Sequence, residues 1–228
     1  GRKFTGLVEF AIRLVAARHV KFLARRVPQG GRILDVGCGR GVLLRQLADR
    51  GFEAHGFEVS ESAAVGVDPN IQLRIADDLR EAAYSDGYFD QVIIWHVLEH
   101  VSDPRATIEE IRRILKPGGE IVVAVPNFSS LQARWSGPAW FHLDLPRHLY
   151  HFPAAALAGL LEGSGFRITS AHHFSLRQNP FGWVQSALNK LTRMPRNALY
   201  ELLHQRNGER PRRNWLTRGM LYSAFALG

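Results

Sequence analysis

Ile33-Leu34-Asp35-Val36-Gly37-Cys38-Gly39-Arg40-Gly41-Val42-Leu43-Leu44 is the stretch whose reading decides the fold. Arg32 to Val36 is short and rich in β-branched residues, as a buried strand requires. Three glycines follow at alternate positions, and Val42 to Arg50 then has the spacing of a helix closed by Gly51. A strand that turns through glycines straight into a helix is the opening of a parallel crossover unit.

Working outward, the same alternation continues. Glu53 to Phe57, Gln72 to Ala76, Asp90 to Trp95 and Glu120 to Val125 read as further strands. Between them, Ser60 is placed to cap a short helix through Val65. Pro104 to Leu115 reads as a helix stopped by Lys116-Pro117-Gly118-Gly119. Upstream, Phe4 to Arg26 carries an apolar helical stripe, ended by Pro28-Gln29-Gly30-Gly31. Downstream, residues 128–151 are rich in aromatics, Pro and His and read as a lid or insertion. Pro153 to Gly163 returns as a helix and Phe166 to His172 as a strand, and Asn179 to Asn189 and Ala198 to His204 read as helices. The expectation is an α/β fold with a doubly wound, mostly parallel sheet covered by helices on both faces. An N-terminal helix (1–29) precedes it. The main domain covers 30–175, with a lid at 127–152, and a basic helical extension covers 176–228.

Composition narrows the function classes. A chain of 228 residues suits one domain with additions. A single cysteine, Cys38, excludes an internal disulfide framework and a cysteine-based zinc cage, and points to a reducing compartment. There is no uninterrupted apolar stretch of about 18 residues to cross a membrane, and no secretory leader pattern, so a cytoplasmic protein is expected. The net charge of +8 is concentrated toward the end: from Asn189 onward eight Lys or Arg face two acids. With the apolar segment Trp215 to Leu227, that tail suggests a peripheral contact with an anionic membrane surface; a solvated basic surface is the plainer alternative.

In open α/β sheets ligands bind beyond the carboxyl ends of the strands, where Asp35 and Gly37, Cys38, Gly39 and Gly41 lie. Glycine lets the backbone turn and a ligand approach without meeting a Cβ. Glu58 ends the second strand about 20 residues later, where a carboxylate can accept hydrogen bonds from both hydroxyls of a ribose. The spacing is not the G-x-G-x-x-G of a dinucleotide site, and no Gly-Lys-Ser/Thr follows for a triphosphate.

Taken in order, ILDVGCGRGVLLRQLADRG, EAHGFEVS, IADDLREAAYSDGYFDQVIIWHVLEHVSDP and EEIRRILKPGGEIVVAVPN resemble the successive motifs of class I S-adenosylmethionine-dependent methyltransferases, a Rossmann-like family. The likeness runs from about residue 30 to 175 and is strongest to a small-molecule subgroup with WHVLEH and DLPRHLYHF segments. It implies S-adenosyl-L-methionine as cofactor, with S-adenosyl-L-homocysteine as product. Asp35, Gly37, Cys38, Gly39 and Gly41 would surround the methionine end and ribose, and Glu58 would bind the ribose hydroxyls. Asp78, with the Leu79 backbone, would meet the adenine; Asp77 is its rival, because the doubled acid leaves the register open by one. Trp95, His96 and Val97 would line the cofactor near the sulfonium. The family's usual final antiparallel strand pair is incomplete in this sequence.

Methyl transfer to a hydroxyl needs an in-line acceptor, exclusion of water and a base for the hydroxyl proton, for which histidine suits neutral pH. His96, His142 and His148 are the candidates. Trp140, Phe141, Asp144, Arg147 and Tyr150 would line an acceptor pocket, Arg147 gripping an acidic or phosphorylated group. His96 and His100 stand four apart around Glu99, but not in the zinc-protease His-Glu-x-x-His order, and no metal site is expected. The resulting expectation is O-methylation of a small-molecule, sugar-like or lipid-linked acceptor. A nucleic-acid-directed or non-catalytic protein on the same fold is the alternative. Nucleic acid is the weaker partner, because Trp95-His96-Val97-Leu98 stands where base-methylating relatives often carry Asn/Asp-Pro-Pro-Tyr.

Overall fold

The computed structural model describes residues 20–173, 179–192 and 195–204. Most of the expected N-terminal helix lies outside these residues, as does the segment Trp215 to Leu227. Among those described, residues 20–24 are the end of a helix.

The chain divides into two compact units. Unit 1 (Gly1–Pro126 and Pro146–Ala171) is built on a five-stranded sheet of β1 (Arg32–Val36), β2 (Glu53–Glu58), β3 (Gln72–Ile75), β4 (Phe89–Trp95) and β5 (Leu115–Ala124). All pairs are parallel and the order is β3-β2-β1-β4-β5. The chain winds outward from β1 to β3 and then crosses to the other side of β1. β1 and β4 therefore flank the topological switch point, where such sheets open a crevice at their carboxyl ends.

Side chains of successive strand residues point to opposite faces. Ile33 and Ile93 pack in one apolar cluster with Leu44 and Leu47 of α1 (Val42–Ala48) and with Val20, Leu23 and Val27. Leu34, Val36, Val92 and Ile94 pack in the other, with Ile108, Ile111 and Ile114 of α2 (Pro104–Ile114). Each fully buried isoleucine of α2 contributes roughly 1.5–3 kcal/mol relative to exposure. Asp103 caps α2 by accepting the Ala106 N–H at 3.0 Å, and Pro104 occupies the first turn, where its missing N–H costs nothing.

Several local expectations are corrected. Ser60 begins turns, not a helix: Ala63 and Ala64 N–H both reach the Ser60 carbonyl, and Ser60 and Ser62 bond to each other through their hydroxyls. Lys116-Pro117-Gly118-Gly119 does not precede β5 but lies within it, as a bulge that shifts the register between Phe89 and Gln91. Lys116 Nζ holds this bulge by donating to both oxygens of Asp90, at 2.7 and 2.8 Å, and Asp90 also accepts the Arg32 N–H. Phe166 to His172 forms no strand. Its residues from Arg167 onward are exposed, so neither face is buried, and it is tied back by Arg26 to Thr169 at 3.1 Å. The preceding α4 (Ala154–Gly163) is as expected.

Unit 2 (Asn127–Leu145 and His172–Gly228) is helical in its described residues: α3 (Leu131–Ser136), α5 (Asn179–Leu191) and α6 (Ala198–His204). A polar network joins α5, the start of α6 and the turn at Ala139. The Gln185 amide donates to Asn189 Oδ1, and the Gln185 oxygen accepts the Tyr200 N–H at 2.8 Å. Asn189 in turn donates to the Ala139 carbonyl and to Asn197. The segment read as one lid is thus shared: residues 127–145 belong to unit 2 and residues 146–152 to unit 1.

Candidate cofactor and active site

The exit of β1 is a cradle of backbone. Gly37 and Cys38 N–H groups both donate to the Phe57 carbonyl, at 2.8 and 3.1 Å, and Gly41 N–H closes a turn onto Cys38. Two glycines here serve different ends. A methyl group placed on Gly37 (φ +73°) would run into the Val97 side chain, so this glycine lets the turn after β4 pack on the loop. One placed on Gly39 (φ +50°) meets no atom within 4 Å, so this residue presents open backbone.

Glu58 binds the cradle from the tip of β2. Its Oε2 accepts the Gly39 N–H at 2.9 Å, and its Oε1 accepts Val59 and Ser60 N–H at 2.9 and 3.3 Å. An ionised carboxylate offers about four acceptor positions, so these three bonds leave capacity for a ligand hydroxyl. Asp35, paired with Gly56 in the sheet, is buried at the end of β1, and that burial, with Glu58 repelling it, pushes its carboxyl up to about 7. Two carboxylates enclosed this way favour a cationic or multiply hydrogen-bonding guest. Burial also pushes the Cys38 thiol up to about 12, with Asp35 and Glu58 adding to the effect, and the residue packs against the apolar cluster of Leu44 and Leu47.

Asp78 and Asp77 separate clearly. Asp78 accepts the Arg80 N–H to cap a single tight turn (Leu79–Ala82) and receives both Nε and Nη2 of the Arg80 guanidinium at 2.8 Å, which holds its carboxyl down to about 2. Leu79 is buried beneath that turn, and Asp77 is exposed. Sequence reasoning missed Val59 and Ile75. Each is a large apolar side chain left exposed, 57% and 42%, beside Glu58 at the ends of β2 and β3. The signal was available: both are apolar residues placed just where their strands end.

After β4 the chain turns sharply. His96 adopts a left-handed conformation (φ +55°), costly for a residue with a Cβ, and its N–H is held by the Ala124 carbonyl at 2.8 Å. Its Nδ1 lies 3.2 Å from Oε1 of Glu99, which is buried. The Glu99 carbonyl accepts both Leu149 and Tyr150 N–H, and His100 Nδ1 donates to the Arg147 carbonyl at 2.9 Å. Tyr150 anchors its hydroxyl on the Ser102 carbonyl, His148 is buried, and Arg147 is exposed.

The sequence candidates therefore fall in two groups. Unit 1 brings together Asp35, the glycine loop, Glu58, Trp95, His96 and Val97, and packs Arg147, His148 and Tyr150 against Glu99 and its neighbours. Unit 2 holds Trp140, Phe141, His142 and Asp144. There Trp140 is buried with its indole N–H on Gln132, and Phe141 packs with Phe181 and Tyr200 while its N–H reaches Ser186. The His142 ring lies edge-on to both Trp140 and Phe141, and Asp144 ends a short turn in the left-handed region.

Comparison with known proteins agrees with this geometry. Residues 7–171 match the family model described as a methyltransferase domain. A ubiquinone biosynthesis O-methyltransferase of Xanthomonas axonopodis pv. citri is 31% identical over 160 residues, covering 64% of this chain and 66% of that protein. The protein of the same name from Pseudomonas aeruginosa (strain LESB58) is 34% identical over 105 residues, covering 43% and 45%. The chain thus spans about half to two thirds of the length of these curated relatives. Among solved structures, a SAM-dependent methyltransferase from Archaeoglobus fulgidus is 27% identical with a TM-score of 0.57, covering 73% of this chain and 75% of that one. With the glycine cradle, its carboxylate and the sheet order already in place, the chain belongs to the methyltransferase domain family, in its class I, S-adenosylmethionine-dependent form.

Proposed function

We propose that the chain transfers a methyl group from S-adenosylmethionine to a hydroxyl of a small-molecule acceptor, with His96 as general base. The bound cofactor supplies an activated methyl on a cationic sulfur. The chain's own residues do the rest. Asp35 and Glu58 hold the cofactor's amino-acid and ribose ends against the open backbone at Gly39. Trp95, His96 and Val97 close the sulfonium side, Asp77 or Asp78 with Leu79 meets the adenine, and Val59 and Ile75 support its ring.

The observation that carries the catalytic reading is the His96–Glu99 pair at the switch point. A carboxylate can only accept, so the Nδ1 proton is directed at Glu99 and Nε2 keeps its lone pair for an acceptor hydroxyl. When bound, the cofactor would supply the methyl for in-line transfer to the acceptor oxygen, its S–C bond breaking as the O–C bond forms and S-adenosylhomocysteine departing, while His96 would take the hydroxyl proton. The Xanthomonas and Pseudomonas relatives, named as O-methyltransferases, support oxygen as the atom methylated. A small-molecule, lipid-linked or sugar-like hydroxyl is the acceptor class, with Arg147 and Tyr150 as its contacts in unit 1. His142 and His148 are the rival bases.

The test is release of S-adenosylhomocysteine with a panel of lipid-linked, sugar and simple phenolic hydroxyl acceptors. His96→Ala lowers turnover by about 10²–10⁴ while S-adenosylhomocysteine affinity stays within about twofold. Unchanged turnover in His96→Ala, with a collapse in His142→Ala or His148→Ala, would move the base to one of those residues.

A further inference from the structure

Beneath the turn after β4, three donor side chains converge from two segments of unit 1: Glu99 and His100 from the turn, and His148 from residues 146–152. One donor atom of each lies within 4.8 Å of the other two. His148 Nε2 stands 4.0 Å from Glu99 Oε1, and the two imidazole rings are 4.7 Å apart. We propose that Glu99, His100 and His148 form a binding site for a divalent first-row transition ion, Zn²⁺ being the best match.

The hydrogen bonds around the cluster select its lone pairs. His100 Nδ1 faces the Arg147 carbonyl, which can only accept, so that nitrogen carries the proton and Nε2 is the ligand nitrogen. A backbone carbonyl holding the far nitrogen of a metal-bound histidine is the usual outer support of such sites. Glu99 is 1% exposed; its Oε1 is engaged by His96, and its Oε2 has no hydrogen-bond partner among the described residues. A buried carboxylate oxygen without a donor is costly, and a cation beside it removes the cost. Two imidazoles and one carboxylate are a common three-ligand set for zinc, with further positions for water or a ligand oxygen. Ligand atoms about 2.1 Å from a shared ion stand about 3.4 Å apart at the tetrahedral angle, so donors within 4.8 Å of one another close by up to about 1.4 Å to hold one. The backbone is already braced for this, since Leu149 and Tyr150 N–H both bind the Glu99 carbonyl. The ion would pin residues 146–152 to the end of β4. This assignment rests on the donor geometry and holds whether His96 or His142 is the base; it excludes His148 from that role, since its ring nitrogen would bind the ion.

The experiment uses the full chain without an affinity tag, stripped by chelation and titrated with Zn²⁺ by calorimetry, with unfolding midpoints followed in parallel. The expected result is one equivalent bound with Kd at or below about 1 µM, and a midpoint raised by about 5 °C or more at saturating Zn²⁺. His100→Ala and His148→Ala each weaken binding at least about 100-fold and lose the shift. His100 is exposed, so His100→Ala tests the site even if the buried His148 and Glu99 variants do not fold. The proposal is overturned if the wild-type chain binds no Zn²⁺, Mn²⁺ or Co²⁺ below about 100 µM. It is overturned equally if His100→Ala binds the ion as tightly as the wild-type chain.

Discussion

Replacing the two central glycines of the cradle separates folding from binding. Gly39→Val puts a β-branched residue at φ +50°, and the left-handed region costs an L-residue roughly 1–2 kcal/mol. The new Cβ meets nothing within 4 Å, so no further clash is added in the ligand-free protein. For a domain of this size each kcal/mol is about 2–4 °C, giving a midpoint about 2–8 °C lower. The side chain instead fills the open space, and S-adenosylhomocysteine should bind at least about 100-fold more weakly, roughly 2.7 kcal/mol. Gly37→Ala behaves in the opposite way. Its smaller side chain collides with Val97, and overpacking of about 1–3 kcal/mol adds to the same backbone cost. The expected midpoint loss is about 4–20 °C. Differential scanning fluorimetry and calorimetry with S-adenosylhomocysteine measure both quantities. A folded Gly39→Val that keeps wild-type affinity would refute the assignment of the open backbone to the cofactor.

The raised carboxyl of Asp35 has two consequences of opposite sign. Its folded value of about 7 exceeds the ordinary carboxylate range, so the ligand-free protein loses stability as pH rises from about 4 to about 7. Binding a cationic amine needs the ionised form, so cofactor affinity falls as pH drops below about 7, by up to about tenfold per unit. Asp35→Asn should abolish both trends, and a wild-type affinity constant between pH 6 and 8 would count against a direct contact. Glu58→Gln replaces an acceptor of three backbone N–H groups by a group that cannot accept on one side. It should weaken S-adenosylhomocysteine by about 10–100-fold and lower stability by about 1–3 kcal/mol in urea unfolding. Ile111→Ala, in the face of α2 that meets the sheet, should cost about 2–5 kcal/mol in the same assay with cofactor affinity unchanged. Apart from Lys190 and Arg196, the basic residues of the tail lie outside the described residues. If that tail docks on anionic membrane, the chain should co-sediment with phosphatidylserine vesicles and be released at high salt; no binding would dispose of the expectation.

The centre of the sheet was legible because β1, β2 and β4 are buried along most of their length, and β1 runs through β-branched residues into the glycine turn. Arg32–Val36 and Glu53–Glu58 fall within a residue of expectation. What failed was punctuation. Lys116-Pro117-Gly118-Gly119 reads locally as a stop, but Lys116 is drawn to Asp90, a partner 26 residues away that no local pattern reveals. Ser60 has a cap's chemistry without an apolar helix face behind it. Phe166 to His172 has strand composition but no buried face to pair it. In the site, glycines and acids at strand ends could be placed by counting. The role of Glu99 could not: its value lies in being buried among His96, His100 and His148, and the third of these arrives from 48 residues further on. Trp140 and Phe141 show the converse, since aromatic content suggested a pocket lining whereas each is packed within unit 2.

The most direct test of the cradle is a crystal structure grown with S-adenosylhomocysteine. At least one ribose hydroxyl should lie within hydrogen-bond reach of the Glu58 carboxylate, with the ligand's amino-acid end over residues 37–41 and its amine toward Asp35. A nucleoside bound elsewhere, with Glu58 still serving only Gly39, Val59 and Ser60, would contradict the account.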